Sequence, residues 1–303
     1  MQSAPIHLPL VRRLFATPTR LQESQFLRRE IADRMAEKLA LIKIDAKHIV
    51  DAGCGDGADL SRLNVRFPFA KSIMGIDASQ QALMQSEFFE VQQKSSLNAL
   101  FQRLFHLNSA NSAAVSLLCG DFAVLPLAPN SIDVLWSNLA LHWHPQPDQV
   151  LGEWFRVLAR NGIVMFSSFG PDTFIELKQA FALVDTYPHT LPFVDMHDFG
   201  DMLVAAGFAT PVMDVERITL RYQDPRQLLK DVRALGGNPL ANRRQTLLGK
   251  AAFTRLLSNL EQKRESDGRI PLTIEVVFGH AFKPVPTKLA SGESIIRFDL
   301  PKK

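Results

Sequence analysis

An apolar run at Ile49-Val50 leads into Asp51-Ala52-Gly53-Cys54-Gly55-Asp56-Gly57, where glycine recurs at every second position. Glycines at that spacing let the backbone turn tightly and approach a ligand that a Cβ would push away. A helix that follows aims its free amides at the same point. The chemistry implied is the holding of a nucleotide-like cofactor. Gly53-x-Gly55-x-x-Ala58 also satisfies the loose dinucleotide pattern, so the glycines alone do not choose among NAD, FAD and S-adenosylmethionine. Asp51 favours the last. An acid just before the loop suits the cationic aminoacyl end of S-adenosylmethionine and would repel a pyrophosphate.

Further candidates follow at the ends of later apolar runs. Ile73 to Ile76 leads to Asp77-Ala78, where a ribose-binding acid is expected, and Asp77 would accept from both ribose hydroxyls. After Val115 to Leu118, the segment Gly120-Asp121-Phe122 offers a carboxylate for the adenine amino group and a ring beside the base. Ser131 to Asn138 reads as a fourth strand with polar Asn138 at its end. Polar groups at the carboxyl ends of successive strands face one crevice in an open parallel sheet. His142, Trp143 and Phe169 are the candidates for the reacting end: His142 to hydrogen-bond a substrate oxygen, the two rings as apolar walls. His142-x-His144 with Asp148 matches no zinc spacing, so no metal is expected.

The series Asp51 to Gly57, Gly75-Ile76-Asp77, Gly120-Asp121 and Asp133 to Trp143 resembles the class I S-adenosylmethionine-dependent methyltransferases. The strings Ser137 to Trp143, Glu153 to Leu158, Gly162 to Phe166, Phe169 to Leu177 and Gly268 to Thr273 narrow the likeness. Together they resemble the malonyl-acyl-carrier-protein O-methyltransferases of biotin synthesis, over about residues 10–283. That resemblance implies S-adenosylmethionine as cofactor and the free carboxylate of malonyl-acyl-carrier protein as methyl acceptor. Such an acceptor is ionised at neutral pH and needs no general base, so rate comes from alignment and from excluding water.

Two departures bear on the substrate. Members of this family usually carry a tyrosine in the N-terminal segment that lids the site, and Phe15 to Arg29 contains none. Phe26 to Arg34 also looks like a sister branch, the assembly factors of respiratory complex I that hydroxylate a protein arginine. That branch and an NAD-dependent oxidoreductase are the alternative readings. The link from Asp77 to Gly120 is longer than this fold normally uses. It implies an insertion over 80–114, with Gln80 to Leu104 helical and Asn108 to Ser112 a polar loop.

Positioning such a site requires strands alternating with helices. The fold class expected is α/β: a Rossmann-like, doubly wound, mostly parallel sheet, seven-stranded by the resemblance, with a helical substrate-facing insertion before the last strand. A single catalytic domain over 1–283 would comprise an N-terminal lid and helix (10–42), a cofactor-binding core (43–170), the substrate-facing region (171–265) and a returning strand (266–283). A tail covers 284–303. Leu27, Ile31, Met35 and Leu39 at helical spacing predict an amphipathic helix over Leu21 to Leu41. Helices are expected over Asp148 to Arg160, closed by Asn161-Gly162, over Asp172 to Val184 with Asp172 or Thr173 as N-cap, and over Asp195 to Ala206. Val215 to Tyr222 and Leu272 to Phe282 read as strands.

The chain has 303 residues, 46% of them hydrophobic, enough for one large core plus a lobe. No apolar run is long enough to span a bilayer, and Pro5, His7 and Pro9 interrupt a signal-peptide core. The two cysteines, Cys54 and Cys119, fit a reduced cytoplasm, and both would line the crevice. The formal charge is only +3. Yet Arg226, Lys230, Arg233, Arg243 and Arg244 gather late in the chain, where they would steer an acidic carrier protein and hold its phosphate linker. No basic stretch interleaved with aromatics is present, so nucleic acid is not an expected partner.

Overall fold

A computed structural model describes residues 5–89 and 114–285. Strands β1 (His48–Ala52), β2 (Ser72–Asp77), β3 (Ala114–Cys119), β4 (Ile132–Ser137), β5 (Leu158–Phe169), β6 (Ala209–Tyr222) and β7 (Ile270–Phe282) form one seven-stranded sheet. The order is β3-β2-β1-β4-β5-β7-β6. Pairing is parallel from β3 to β5, whereas β7 runs antiparallel between β5 and β6. The expected Rossmann-like α/β architecture is therefore what the chain adopts.

Helices cover both faces, and the strands are accordingly apolar on both sides. Ile49, Val134, Trp136, Ile163 and Met165 pack on one face with Leu27, Ile31, Met35 and Leu39. Their alternates Val50, Leu135, Val164 and Phe166 pack on the other with Val150, Trp154, Phe199 and Leu203. Side chains of a strand point alternately to either face, so one run of residues feeds two cores.

Three helices precede the sheet: α1 (Leu8–Phe15), α2 (Pro18–Glu23) and α3 (Gln25–Ala40). The single helix expected over Leu21 to Leu41 is thus broken at Ser24. Its Oγ donates to Arg20 O at 2.8 Å, the kind of local bond by which serine competes with the helical ladder. The predicted apolar stripe nevertheless forms the buried face of α3. Ahead of α1, Ile6 bridges Leu240, His7 N donates to Pro239 O at 3.0 Å, and Ala241 N donates to Pro5 O at 2.9 Å. The start of the chain is therefore stitched to the 239–241 segment.

Between strands lie α4 (Leu60–Arg66), α5 (Gln80–Leu83) and α6 (Pro147–Val157), followed by α7 (Ile175–Ala182), α8 (Met196–Ala205), α9 (Pro225–Ala234) and α10 (Lys250–Glu261). Most of the helix expected over Gln80 to Leu104, and all of the loop Asn108 to Ser112, lie outside the described residues. So does the tail from residue 286. Asp195 caps α8 by accepting from His197 N, whereas the capping role expected of Asp172 or Thr173 is not taken. Phe174 precedes α7 in a left-handed conformation at φ 63°. Thr173 Oγ1 instead donates to Glu275 O at 2.8 Å, and Asp172 pairs with Arg217. Thr173 thus ties the turn to β7 and Asp172 ties it to β6, rather than either serving its own helix.

Candidate active site

From β1 the chain winds outward to β2 and β3, then returns to β4 and β5 on the other side of β1. Ligands bind in the crevice at the strand carboxyl ends where such a sheet reverses. The glycine loop fills the bottom of that crevice. Gly53 N and Cys54 N donate to Ile76 O at 2.8 and 3.1 Å, and Gly53 has φ 81°. A Cβ at Gly53 would stand 2.3 Å from Ala140 Cβ, so the backbone approach there excludes any other residue. The helix expected directly after the loop begins only at Leu60, because Gly55 and Gly57 also have positive φ and prolong the turn.

Asp77 is held by two amides: Oδ2 accepts from Gly55 N at 2.9 Å and Oδ1 from Ser79 N at 2.7 Å. This fixes the carboxylate plane and leaves one lone pair on each oxygen for a diol. Asp59 accepts from Trp136 Nε1 at 3.0 Å and Asn138 Nδ2 at 3.1 Å. The Asp51 carboxylate has no hydrogen-bond partner among the described residues. Burial pushes its carboxyl well above the usual carboxylate range, and Asp59, Asp77 and Asp56 push the same way against Arg28. Burial likewise raises Asp77, opposed by the Ser79 and Gly55 amides. A cavity walled by buried carboxylates, one of them unpartnered, is complementary to a cation.

The roof comes from the N-terminal helices. Val11 and Phe15 of α1, Leu21 of α2 and Arg28 of α3 line the cavity. Arg28 forks onto Asp56 at 3.0 and 3.1 Å and donates to Leu21 O at 2.7 Å, joining the roof to the glycine loop. Phe15 stands edge-on to Trp143, with ring centroids 5.2 Å apart. The N-terminal segment without a tyrosine thus still delivers an aromatic ring.

Of the predicted residues, Asp51, Gly53, Gly55, Asp77, Ala78, Phe122, Asn138 and Trp143 line this cavity, and Gly57, Gly120, Asp121, His142 and Phe169 do not. Asp121 lies at the rim, 3.3 Å from Arg12. A Cβ on Gly57 would meet Ser86 Oγ at 2.6 Å, so that glycine serves the packing of the loop. His142 is sealed among Trp143, Phe169 and Phe193 at centroid distances of 4.8, 4.8 and 5.6 Å. Burial lowers its pKa to about 3, and its Nε2 has no partner among the described residues. Cys54 lines the cavity, but Cys119 is exposed and does not. Burial, and then Asp51, hold the Cys54 thiol well above its usual range and so protonated.

The sequence reading passed over Asp59, Ser79, Phe15 and Leu139. Asp59 follows Gly57-Ala58 and could have been read as part of the loop. Leu139, at φ 53°, occupies a conformation that costs a non-glycine residue about 1–3 kcal/mol. Its amide is fixed by Ser167 O and Oγ at 3.2 and 3.0 Å. No local signal marks the strain at Leu139 or the reach of Phe15. Among the five late cations, Lys230 pairs with Glu23 at 2.9 Å and Arg244 with Asp185 at 2.9 Å, while Arg226 lies over the Phe253 ring.

A family model described as a methyltransferase domain matches residues 50–166, the stretch from β1 to β5 that builds the crevice. The YcgJ protein of Bacillus subtilis shares the fold, with a TM-score of 0.54 at 14% identity over 83% of this chain and 98% of that one. The malonyl-[acyl-carrier protein] O-methyltransferase of Laribacter hongkongensis is 43% identical over 276 residues, covering 90% of this chain and 89% of the relative. Its counterpart in Gallionella capsiferriformans is 43% identical over 275 residues, covering 90% of each. The two curated relatives match over nine-tenths of the chain, well beyond the cofactor crevice, and the chain belongs to the malonyl-[acyl-carrier protein] O-methyltransferase family of S-adenosylmethionine-dependent, Rossmann-like enzymes.

Proposed function

We propose that the chain methylates the free carboxylate of a malonyl group carried on acyl-carrier protein, an early step of biotin synthesis. The observation that carries this reading is the unpartnered, buried Asp51 carboxylate in a crevice that also presents the oriented Asp77. Asp51 and the Gly53–Gly55 loop would hold the aminoacyl end of S-adenosylmethionine, Asp77 its ribose and Phe122 its base. When bound, that cofactor supplies an electrophilic methyl group on a positively charged sulfur.

The chain's own residues then have modest tasks. No base is required, because a malonyl carboxylate is ionised at neutral pH. Trp143 and Phe15 supply an apolar wall and roof, which strip water from the acceptor and narrow its approach. His142, neutral at physiological pH, offers a hydrogen bond and no charge. Through its contact with Trp143 and Phe169 it positions the wall. The carrier protein would dock on the α9 side through Arg226, Lys230, Arg233, Arg243 and Arg244. Two of these exchange a present partner, Glu23 or Asp185, for a carboxylate of the carrier.

Intact-mass analysis of malonyl-acyl-carrier protein after incubation with enzyme and S-adenosylmethionine tests the proposal. Acetyl-carrier protein, which lacks the free carboxylate, is the control. A gain of one methyl on the malonyl form alone is expected. No gain, or equal gain on both forms, sinks the carboxyl assignment.

A further inference from the structure

Between α7, α9 and α10 lies a second cavity of about 550 Å³. Its floor is apolar, with Leu177, Leu229, Val232 and Phe253 among the lining side chains, and Arg233, Arg243 and Arg244 stand in its walls. Arg244 is committed, its Nη1 2.9 Å from Asp185 and its Nε 3.1 Å from Thr246 Oγ1. Arg233 and Arg243 face no carboxylate within ion-pair range among the described residues. Beside them, Arg20 Nη1 donates to Arg233 O at 2.8 Å. Burial, and then the neighbouring Arg233 guanidinium, lower the Arg20 pKa, with Glu23 opposing. Two like charges drawn together at the edge of an apolar groove form a site for an anion with several acceptor oxygens, such as a phosphodiester.

The groove also has a thin wall toward the active site. Gly237 lines it, with Arg20 Nη1 3.5 Å from the position of a Cβ. Its neighbour Gly236 lies directly on the Trp143 ring: a Cβ there would stand 2.4 Å from both Cη2 and Cζ2. Trp143 also lines the cofactor cavity. Two consecutive glycines and one indole therefore separate an apolar, arginine-edged groove from the place where the methyl group would be transferred.

We propose that this groove receives the flexible arm of the carrier-borne substrate. Its phosphodiester sits at Arg20, Arg233 and Arg243, its chain lies on the apolar floor, and its thioester end passes Gly236–Gly237 to reach Trp143. The inference rests on the carrier-borne substrate of the preceding section and adds a phosphate subsite and an entry route to it.

Calorimetric binding of phosphopantetheine and of pantetheine, which lacks the phosphate, decides the subsite. Methyl transfer to malonyl-phosphopantetheine and to malonyl-carrier protein decides the substrate reading. The enzyme is expected to bind phosphopantetheine about tenfold or more tightly than pantetheine, the worth of one or more charge-assisted hydrogen bonds. Arg233→Gln and Arg243→Gln are each expected to shrink that preference, and Arg233→Lys to keep most of it. Unchanged S-adenosylmethionine binding in each variant shows that it is folded. Equal affinity for the two ligands, or a preference that survives both glutamine variants, overturns the subsite. A phosphate preference without methyl transfer to either malonyl substrate supports the subsite and removes the proposed acceptor.

Discussion

Asp51 carries a conflict between stability and function. Its carboxyl is buried beside three other acids without a hydrogen bond of its own, so the ionised form is disfavoured until a cation arrives. A carboxyl whose folded pKa exceeds its unfolded value favours the folded state most below the unfolded value. That contribution is lost as pH rises through the folded pKa. The protein without cofactor is therefore expected to lose stability as pH rises through the raised Asp51 range, and Asp51→Asn to lessen the loss. S-adenosylmethionine affinity is expected to change in the opposite sense, rising over the same range as the carboxylate ionises. At neutral pH Asp51→Asn is expected to weaken cofactor binding by about 1.5–3 kcal/mol, roughly ten- to a hundredfold. Calorimetry and thermal melts across pH check both halves. Equal affinity with and without the Asp51→Asn substitution removes Asp51 from the cofactor site.

At the level of elements, the roof is the least secured part of the site. Helices α1 and α2 are short, and isolated helices of such length do not persist in water without tertiary support. Their support comes from Arg28 on Leu21 O, from Phe15 on Trp143, and from the bonding of residues 5–7 to 239–241. Ile6 is a buried member of the small apolar cluster that includes Trp143, Leu191 and Leu240. Ile6→Asp places a charge there and is expected to lower the free energy of opening by about 1–3 kcal/mol. Limited proteolysis within residues 5–25 is then expected to quicken roughly tenfold, and added S-adenosylmethionine to slow it. Cleavage at an unchanged rate would mean that the first residues do not secure the roof. On the opposite side, two of the strings that narrow the family likeness, Phe169 to Leu177 and Gly268 to Thr273, meet: Glu176 accepts from Thr273 Oγ1 at 2.6 Å, and Phe174 N donates to Thr273 O at 2.8 Å. Their motif character reflects a joint between α7 and β7 that holds the end of β5 in place.

For the whole molecule, the cofactor site spans the roof helices and the carboxyl ends of β1, β2 and β4, so a ligand there joins parts of the chain distant in sequence. Binding only to the folded state stabilises it by about 2.7 kcal/mol at a hundredfold excess over Kd. In a chain of this size that corresponds to a melting temperature higher by roughly 4 °C. Thermal denaturation with S-adenosylmethionine is expected to show this shift, and NAD at the same concentration to show none. Equal shifts would reopen the choice between the two cofactors. Among the described residues no helix is long and apolar enough to cross a membrane.

The parts of this protein legible in its sequence are those set by local chemistry. Strand ends, the glycine loop and the acids beside it were readable because tight backbone turns demand glycine and each strand end sits next to its own loop. Asp51, Gly53, Gly55, Asp77, Phe122 and Asn138 accordingly line the cavity as expected. The apolar periods of α3 and α6 were equally legible, since a buried helix face must repeat every three to four residues. What the tertiary structure alone decided is which of these groups share a space. His142 is the sequence neighbour of Trp143, yet it is buried with Phe169 behind that ring, because the turn after β4 directs Trp143 to the cavity and His142 into the packing. Phe15 and Arg28 reach the site from the far end of the chain, and Leu139 is held in a strained conformation by Ser167 on a neighbouring strand. Long-range packing sets these choices, and it leaves no periodic or spacing signal in the residues themselves.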